Sequence, residues 1–238
     1  MLGDRIGVLM FILRCTKKLL DKIDKPQVVQ VKAGDDGWYA NLFRLGRKQS
    51  VIFTHAKSLY SFVIPSVRKQ DLVKINQVFI LELEFQLKRD GFSHKHNVKL
   101  LEKFWDIQIG KTINRSTIGS MNDMVSCAKF LVDYQDCDAE TDIAKINNSI
   151  NTTPFKAIGY KIPIECFAEM YKLPYTSYEN RRNVKGIEKV QDETKDVKTM
   201  DDKILLKLTP IQREVILEDV SDYILDIDIE RAISGRNF

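Results

Sequence analysis

The sequence predicts an α+β fold: an antiparallel β-meander packed against helices, followed by a helical C-terminal extension. Three observations predict it. Residues 38–45, 50–54 and 59–64 are rich in β-branched and aromatic side chains, and the gaps between them are short enough for hairpins. Residues 71–88 then carry Leu72, Ile75, Phe79, Leu83 and Leu87 at helical spacing. Finally, Thr209 and Pro210 form an N-cap and first-turn pair ahead of Ile211, Val215, Val220, Tyr223, Ile224 and Ile227.

The elements follow in order. Residues 11–15 read as a strand, and Thr16 as the N-cap of a short helix over 17–23 that stops before Pro26. The turn-prone stretch AGDDG at 33–37 leads into the meander, whose antiparallel pairing tolerates one wet face. Val78, Leu81 and Phe85 widen the stripe of the helix over 71–88, so it should lie across the meander, and Gly91 should end it. A short helix at 98–103 and a strand at 105–111 come next. The stretch 114–123 opens a helix to about residue 134 with Met121, Met124, Val125, Ala128 and Leu131 inward, and Ser120 with Asp123 three residues on resembles a capping box.

Residues 147–154 read as a polar loop, and 163–172 as a helix with Pro163 in its first turn. Seven basic and seven acidic side chains then crowd 179–203, with no aromatic residue. Such composition buries too little apolar area to offset chain entropy. The predicted organisation is a core domain at 1–175, a charged flexible linker at 176–204 and an amphipathic helix at 205–238. No repeat of 20–50 residues is evident.

Composition narrows the class. The chain is 44% hydrophobic and 29% charged, with a net charge of +4, which is ordinary globular composition. The charge is unevenly spread: residues 1–135 hold 22 basic and 13 acidic side chains, and 136–238 hold 15 and 20. Such asymmetry marks either a polyanion-binding face or an acidic tail resting on a basic body. Cys15, Cys127, Cys137 and Cys166 are scattered without a C-x-x-C pair, as free thiols of a reducing compartment would be. The apolar run at 6–13 is far short of the roughly 18 residues that span a bilayer, so no membrane association and a cytoplasmic location are expected. Met10 is a candidate alternative start, which mass spectrometry of the native N-terminus decides.

Two groups of residues are candidates for anion or nucleic-acid binding. The first is Arg14, Lys17 and Lys18 with Arg44, Arg47 and Lys48, where phosphates need cations and Trp38, Tyr39 and Phe43 offer stacking surfaces. Adjacent strand residues face opposite ways, so Trp38 and Tyr39 cannot both stack outward. The second is Arg115, Ser116, Ser120 and Asn122, between a strand and a helix N-terminus, where free N–H groups hold anions. Helix capping is the competing reading of that set. His55 is a candidate general base without an assignable nucleophile. His94 and His96, read as a loop pair, have no third ligand at zinc spacing. No metal and no cofactor are predicted.

Three stretches, LRCTKKLLDKI at 13–23, WYANLFRLGRKQSVIFTHAKSLYSFVIP at 38–65 and NRSTIGSMND at 114–123, together resemble a bacterial domain-of-unknown-function family, number 6933, over roughly residues 10–135. The resemblance implies a bacterial, cytoplasmic protein and carries over no catalytic residues. NTTPFKAIGYKIPIECF at 151–167 looks like the closing segment of insertion-sequence transposases, but no catalytic carboxylate triad accompanies it, so a turn and helix start is the reading kept. The favoured function is nucleic-acid binding or regulation. An interaction component of a toxin–antitoxin or defence pair, with 205–238 contacting a protein partner, comes second, and a small hydrolase or nuclease third.

Overall fold

The computed structural model describes residues 11–23, 28–29, 37–104, 106–134, 138 and 142–175. The predicted linker at 176–204, the helix at 205–238, Trp105 and Cys137 lie outside the described residues. In chain order the elements are β1 (Phe11–Cys15), α1 (Lys17–Leu20), β2 (Val28–Val29), β3 (Trp38–Leu45), β4 (Lys48–His55) and β5 (Ser61–Ile64). There follow α2 (Lys69–Val73), α3 (Ile75–Arg89), α4 (His94–Leu101), β6 (Ile107–Lys111), α5 (Arg115–Tyr134), α6 (Ile143–Thr152) and α7 (Pro163–Tyr171).

The α+β class holds, but the sheet is mixed rather than a plain meander. Its order is β2-β6-β1-β3-β4-β5. The expected meander is there as β3-β4-β5, antiparallel throughout. On its other side β1 lies parallel to both β3 and β6, and β2 parallel to β6. Those pairings join segments far apart in the chain, so no local turn announces them. The β3–β4 hairpin closes through Gly46 and Arg47, with Leu45 opposite Lys48 and Gly46 at φ +57°, as tight hairpin turns require.

The meander's expected wet face is covered. Trp38, Ala40 and Leu42 point into one core with α3, α4 and α7, while Tyr39, Phe43 and Leu45 point into a second with α5 and α6. Trp38 anchors the first core, its ring 5.2–6.4 Å from those of His55, Tyr60, Phe62, Phe79, Phe104 and Phe167. Such edge-to-face packing adds specificity to area burial. Because Trp38, Tyr39 and Phe43 are all buried, none offers the stacking surface expected from the sequence.

Several local expectations shift. The helix expected over 71–88 is split into α2 and α3 at Lys74, where φ is −100° and ψ 27°. Gly91 ends α3 as expected, at φ +83°, with the Phe92 N–H donating to the Leu87 carbonyl at 3.0 Å. His94 and His96 belong to α4 rather than a loop. The polar loop expected at 147–154 is mostly α6. No described helix is long and apolar enough to cross a membrane.

Candidate functional site

The parallel strands β1 and β6 end side by side, with Cys15 opposite Lys111. From β1 the chain enters α1, whose Leu19 packs into the first core. From β6 it enters α5, which packs into the second. Adjacent parallel strands that send their connections to opposite faces leave a crevice outside their carboxyl ends, the usual ligand position in open sheets.

Three sequence segments are tied together at this crevice. The Thr16 N–H donates to the Ala40 carbonyl at 3.0 Å, and the Thr16 hydroxyl donates to Asn41 Oδ1 at 2.9 Å. Thr16 is therefore the N-cap residue of α1 by position only, its side chain being turned to β3. The Asn114 N–H donates to the Tyr39 hydroxyl at 3.2 Å. Arg14 Nη1 donates to the Lys111 carbonyl at 3.2 Å. The stretches 13–23, 38–65 and 114–123 thus converge on one place.

Asn114 also caps α5, Oδ1 accepting the N–H groups of Ser116 at 2.8 Å and Thr117 at 3.2 Å. The helix begins at Arg115, within the stretch 114–123 expected to open it. The proposed Ser120–Asp123 capping box is corrected accordingly: Ser120 is buried within α5, one turn past its start. Capping engages the Ser116 and Thr117 donors that an anion would have used, which leaves side chains as the main anion-binding groups of the Arg115 cluster.

The candidate residues separate by exposure. Lys17, Lys18, Arg115, Ser116 and Asn122 are exposed, as are Arg44, Arg47 and Lys48. Arg14 is only 2% exposed and Ser120 is buried, which removes both from a surface patch. Arg14 lies where Gly110 makes room: a Cβ there would come 2.7 Å from Ile12 Cγ2 and 3.7 Å from Arg14 Nη1. Its guanidinium helps fasten β1 to β6 instead of meeting solvent.

Register places the remaining cations at one end of the sheet. β1 pairs with β3 only as far as Ala40, so residues 41–45 and the hairpin turn continue past the end of β1. At about 3.4 Å per residue the tip stands roughly 17 Å beyond it. Lys17 and Lys18, the hairpin's Arg44, Arg47 and Lys48, and Arg115 with the exposed Lys111 share that end. Asn41, Lys111 and Asn114 escaped the sequence reading, and Thr16 was read only as a helix cap. Asn114 directly before a long helix was the legible signal.

The other candidates are engaged structurally. His55 is fully buried, Nδ1 lying 2.9 Å from the Ser58 hydroxyl and Nε2 3.1 Å from the Tyr171 hydroxyl. His96 Nδ1 lies 2.6 Å from Ser93 Oγ at the start of α4. Among the described residues no three His, Cys, Asp or Glu side chains gather as a metal would need. An open groove of about 470 Å³ lies beside the β4–β5 turn, lined by Lys57, Lys161, Cys166, Glu169 and Met170. Lys161 approaches Glu169 at 3.9 Å there, so its charge is mixed and shallowly held.

A comparison with curated proteins found no match. The model of a family described as a domain of unknown function (DUF6933) matches residues 12–166, a span containing every residue of the crevice, the second core and most of the first. With well over half its length matched, the chain belongs to the DUF6933 family.

Proposed function

We propose that the protein binds the phosphate backbone of nucleic acid across the carboxyl end of its sheet, in a regulatory rather than catalytic role. One observation carries this reading: exposed cations from three separate segments, Lys17 and Lys18, Arg44 with Arg47 and Lys48, and Lys111 with Arg115, share that end. Phosphate recognition asks for such a spread of cations and does not depend on free helix N–H groups. The free thiols Cys15, Cys127 and Cys166 suit a reducing cytoplasm, where that ligand occurs.

Fluorescence anisotropy with labelled DNA and RNA, titrated against salt, tests the reading. Binding should weaken linearly on a log–log salt plot, with a slope of about −0.7 to −0.9 per phosphate contact. Lys17→Ala with Lys18→Ala, and separately Arg115→Ala, should reduce both affinity and slope. Absence of binding at low salt overturns the proposal.

A further inference from the structure

The cations of the basic end are not shared evenly between the two faces of the sheet. Along β3, Arg44 follows Trp38, Ala40 and Leu42 at two-residue spacing, so its side chain leaves the sheet on the side of the first core. Lys111 follows Ile107 and Ile109 on β6 in the same way. The short helix α1, which carries Lys17 and Lys18, packs its Leu19 on that side too.

A fourth segment reaches the same side. Beyond β5 the chain stays beside β4: Ile64 pairs with Val51, and the Val67 N–H donates to the Gln49 carbonyl at 2.9 Å. Gln49 is the partner of Arg44 across the hairpin. Val67 and Leu72 enter the first core, so the exposed Arg68 and Lys69 between them stand beside the end of the hairpin on the first-core side. The Asp71 carboxylate accepts the Arg68 N–H at 2.6 Å, which fixes the turn through the backbone. Among the described residues no ion pair holds the side chains of Lys17, Lys18, Arg44, Arg68, Lys69 or Lys111. Asp21 and Asp71 are their acidic counterparts on the same elements.

These cations form a diagonal row, from Lys111 on β6 across β1 and β3 to Arg68 and Lys69 on the far side of β4. Four strand spacings of about 4.8 Å, with a climb of roughly 17 Å along the hairpin, give the row a length of about 25 Å. That length spans about seven base pairs of a duplex, each strand of which presents a phosphate every 3.4 Å or so. An unpaired strand asks in addition for rings on which its bases can stack. The exposed aromatic side chains among the described residues, Phe85, Phe130, Tyr134 and Tyr160, belong to α3, α5 and the turn before α7 rather than to the segments of the row.

We propose that the partner of the basic end is the backbone of double-stranded nucleic acid, laid diagonally across the first-core side and gripped at one end by Arg68 and Lys69. This rests on the nucleic-acid reading above. The test uses the full chain and four labelled probes: long DNA and RNA duplexes, a DNA hairpin whose stem is shorter than the row, and an oligothymidylate. At least one long duplex should bind more tightly than the short hairpin and the oligothymidylate, and the duplex that does so identifies the helical form. The doubly substituted Arg68→Ala, Lys69→Ala protein should lose roughly 10-fold or more in duplex affinity, and its salt slope should fall by about 1.8, the share of two phosphate contacts. Arg68→Lys with Lys69→Arg, which keeps both charges, should hold the native slope. Lys129→Ala with Lys145→Ala, on the helices of the second core, should hold it as well. An unchanged slope in the Arg68→Ala, Lys69→Ala protein, or tighter binding of the oligothymidylate than of either duplex, overturns this placement while leaving backbone binding intact. An equal loss in the Lys129→Ala, Lys145→Ala protein overturns it in favour of a diffuse charge effect. No binding of any probe at low salt removes the nucleic-acid reading and this placement together.

Discussion

Asn151 pairs with Ser61 as a strand would: its Nδ2 donates to the Ser61 carbonyl at 2.7 Å, and its Oδ1 accepts the Ser61 N–H at 2.8 Å. One turn earlier on α6, Asn147 treats Val63 the same way, its Oδ1 accepting the N–H at 2.9 Å. β5 is the last strand of the sheet, so its outward peptide groups would otherwise be orphaned in a buried site. Two carboxamides spaced i,i+4 close the edge against strand addition.

Asn151→Ala should therefore destabilise the fold by about 2–4 kcal/mol, since it leaves a buried N–H and a buried C=O without partners. Urea unfolding measures this. Lys145→Ala, on the exposed side of the same helix, should shift stability by less than about 0.5 kcal/mol. Equal effects from the two variants would show that the edge contacts are not what holds α6 in place.

This device shows why part of the fold was illegible. The segment 147–154 reads as polar because Asn147, Asn148, Asn151, Thr152 and Thr153 dominate it. Ile143, Ile146 and Ile150 do keep helical spacing, yet the asparagines between them look like solvent-facing residues until the strand they cover is known. Strands β3 to β5, the Gly91 stop and the Pro163 start were readable because each depends on neighbours in sequence. The parallel neighbours of β1 were not, because pairing Leu13 with Ile109 is a decision of tertiary packing. At the candidate site the cations were visible as residue types. Their convergence required the β1–β3 register, and the burial of Arg14 required the adjacent glycine at 110.

A buried polar chain continues inward from Asn147. Its Nδ2 donates to Gln86 Oε1 at 2.9 Å, Gln86 Nε2 donates to both Asp90 carboxylate oxygens at 3.0 Å, and the Tyr60 hydroxyl donates to Asp90 Oδ2. Burial, followed by the charge of Asp90 and the hydrogen bond to it, holds the Tyr60 hydroxyl well above the usual tyrosine range. The folded value exceeds the unfolded one, so this stabilisation is complete below the ordinary tyrosine value of about 10 and is lost as pH rises beyond it. Thermal melts across the alkaline range should show a decline that is shallower in Tyr60→Phe. That variant should also be less stable at neutral pH by about 1–3 kcal/mol, because Asp90 loses a donor. An alkaline decline as steep in Tyr60→Phe as in the native protein would assign it to other groups.

The thiols should separate kinetically. Cys15 is fully buried at the end of β1, and burial pushes its thiol up to about 12. It should resist alkylation until the protein unfolds. Cys127 and Cys166 are half-buried and should label in the native state. Burial raises the Cys166 thiol, with Glu169 and Glu165 adding to the rise and Lys161 opposing it, so Cys166 should label more slowly than a free thiol. Peptide mapping after timed exposure to iodoacetamide reads each site separately. Prompt native labelling of Cys15 would mean that β1 opens at its carboxyl end.

Glycine substitutions test the same strand end from two directions. At Gly110 an added Cβ meets Ile12 Cγ2 at 2.7 Å within three parallel strands, where neither backbone can retreat. Gly110→Ala should cost about 1–3 kcal/mol as an overpacking change. Gly119 lies inside α5, with nothing within 4 Å of an added Cβ and no positive φ. Gly119 is thus an ordinary helical position. Gly119→Ala should stabilise the protein by up to about 1 kcal/mol, since alanine loses less backbone freedom in a helix. Urea midpoints moving in opposite directions for the two variants would support both placements. A destabilising Gly119→Ala would mean that α5 does not run unbroken from Arg115.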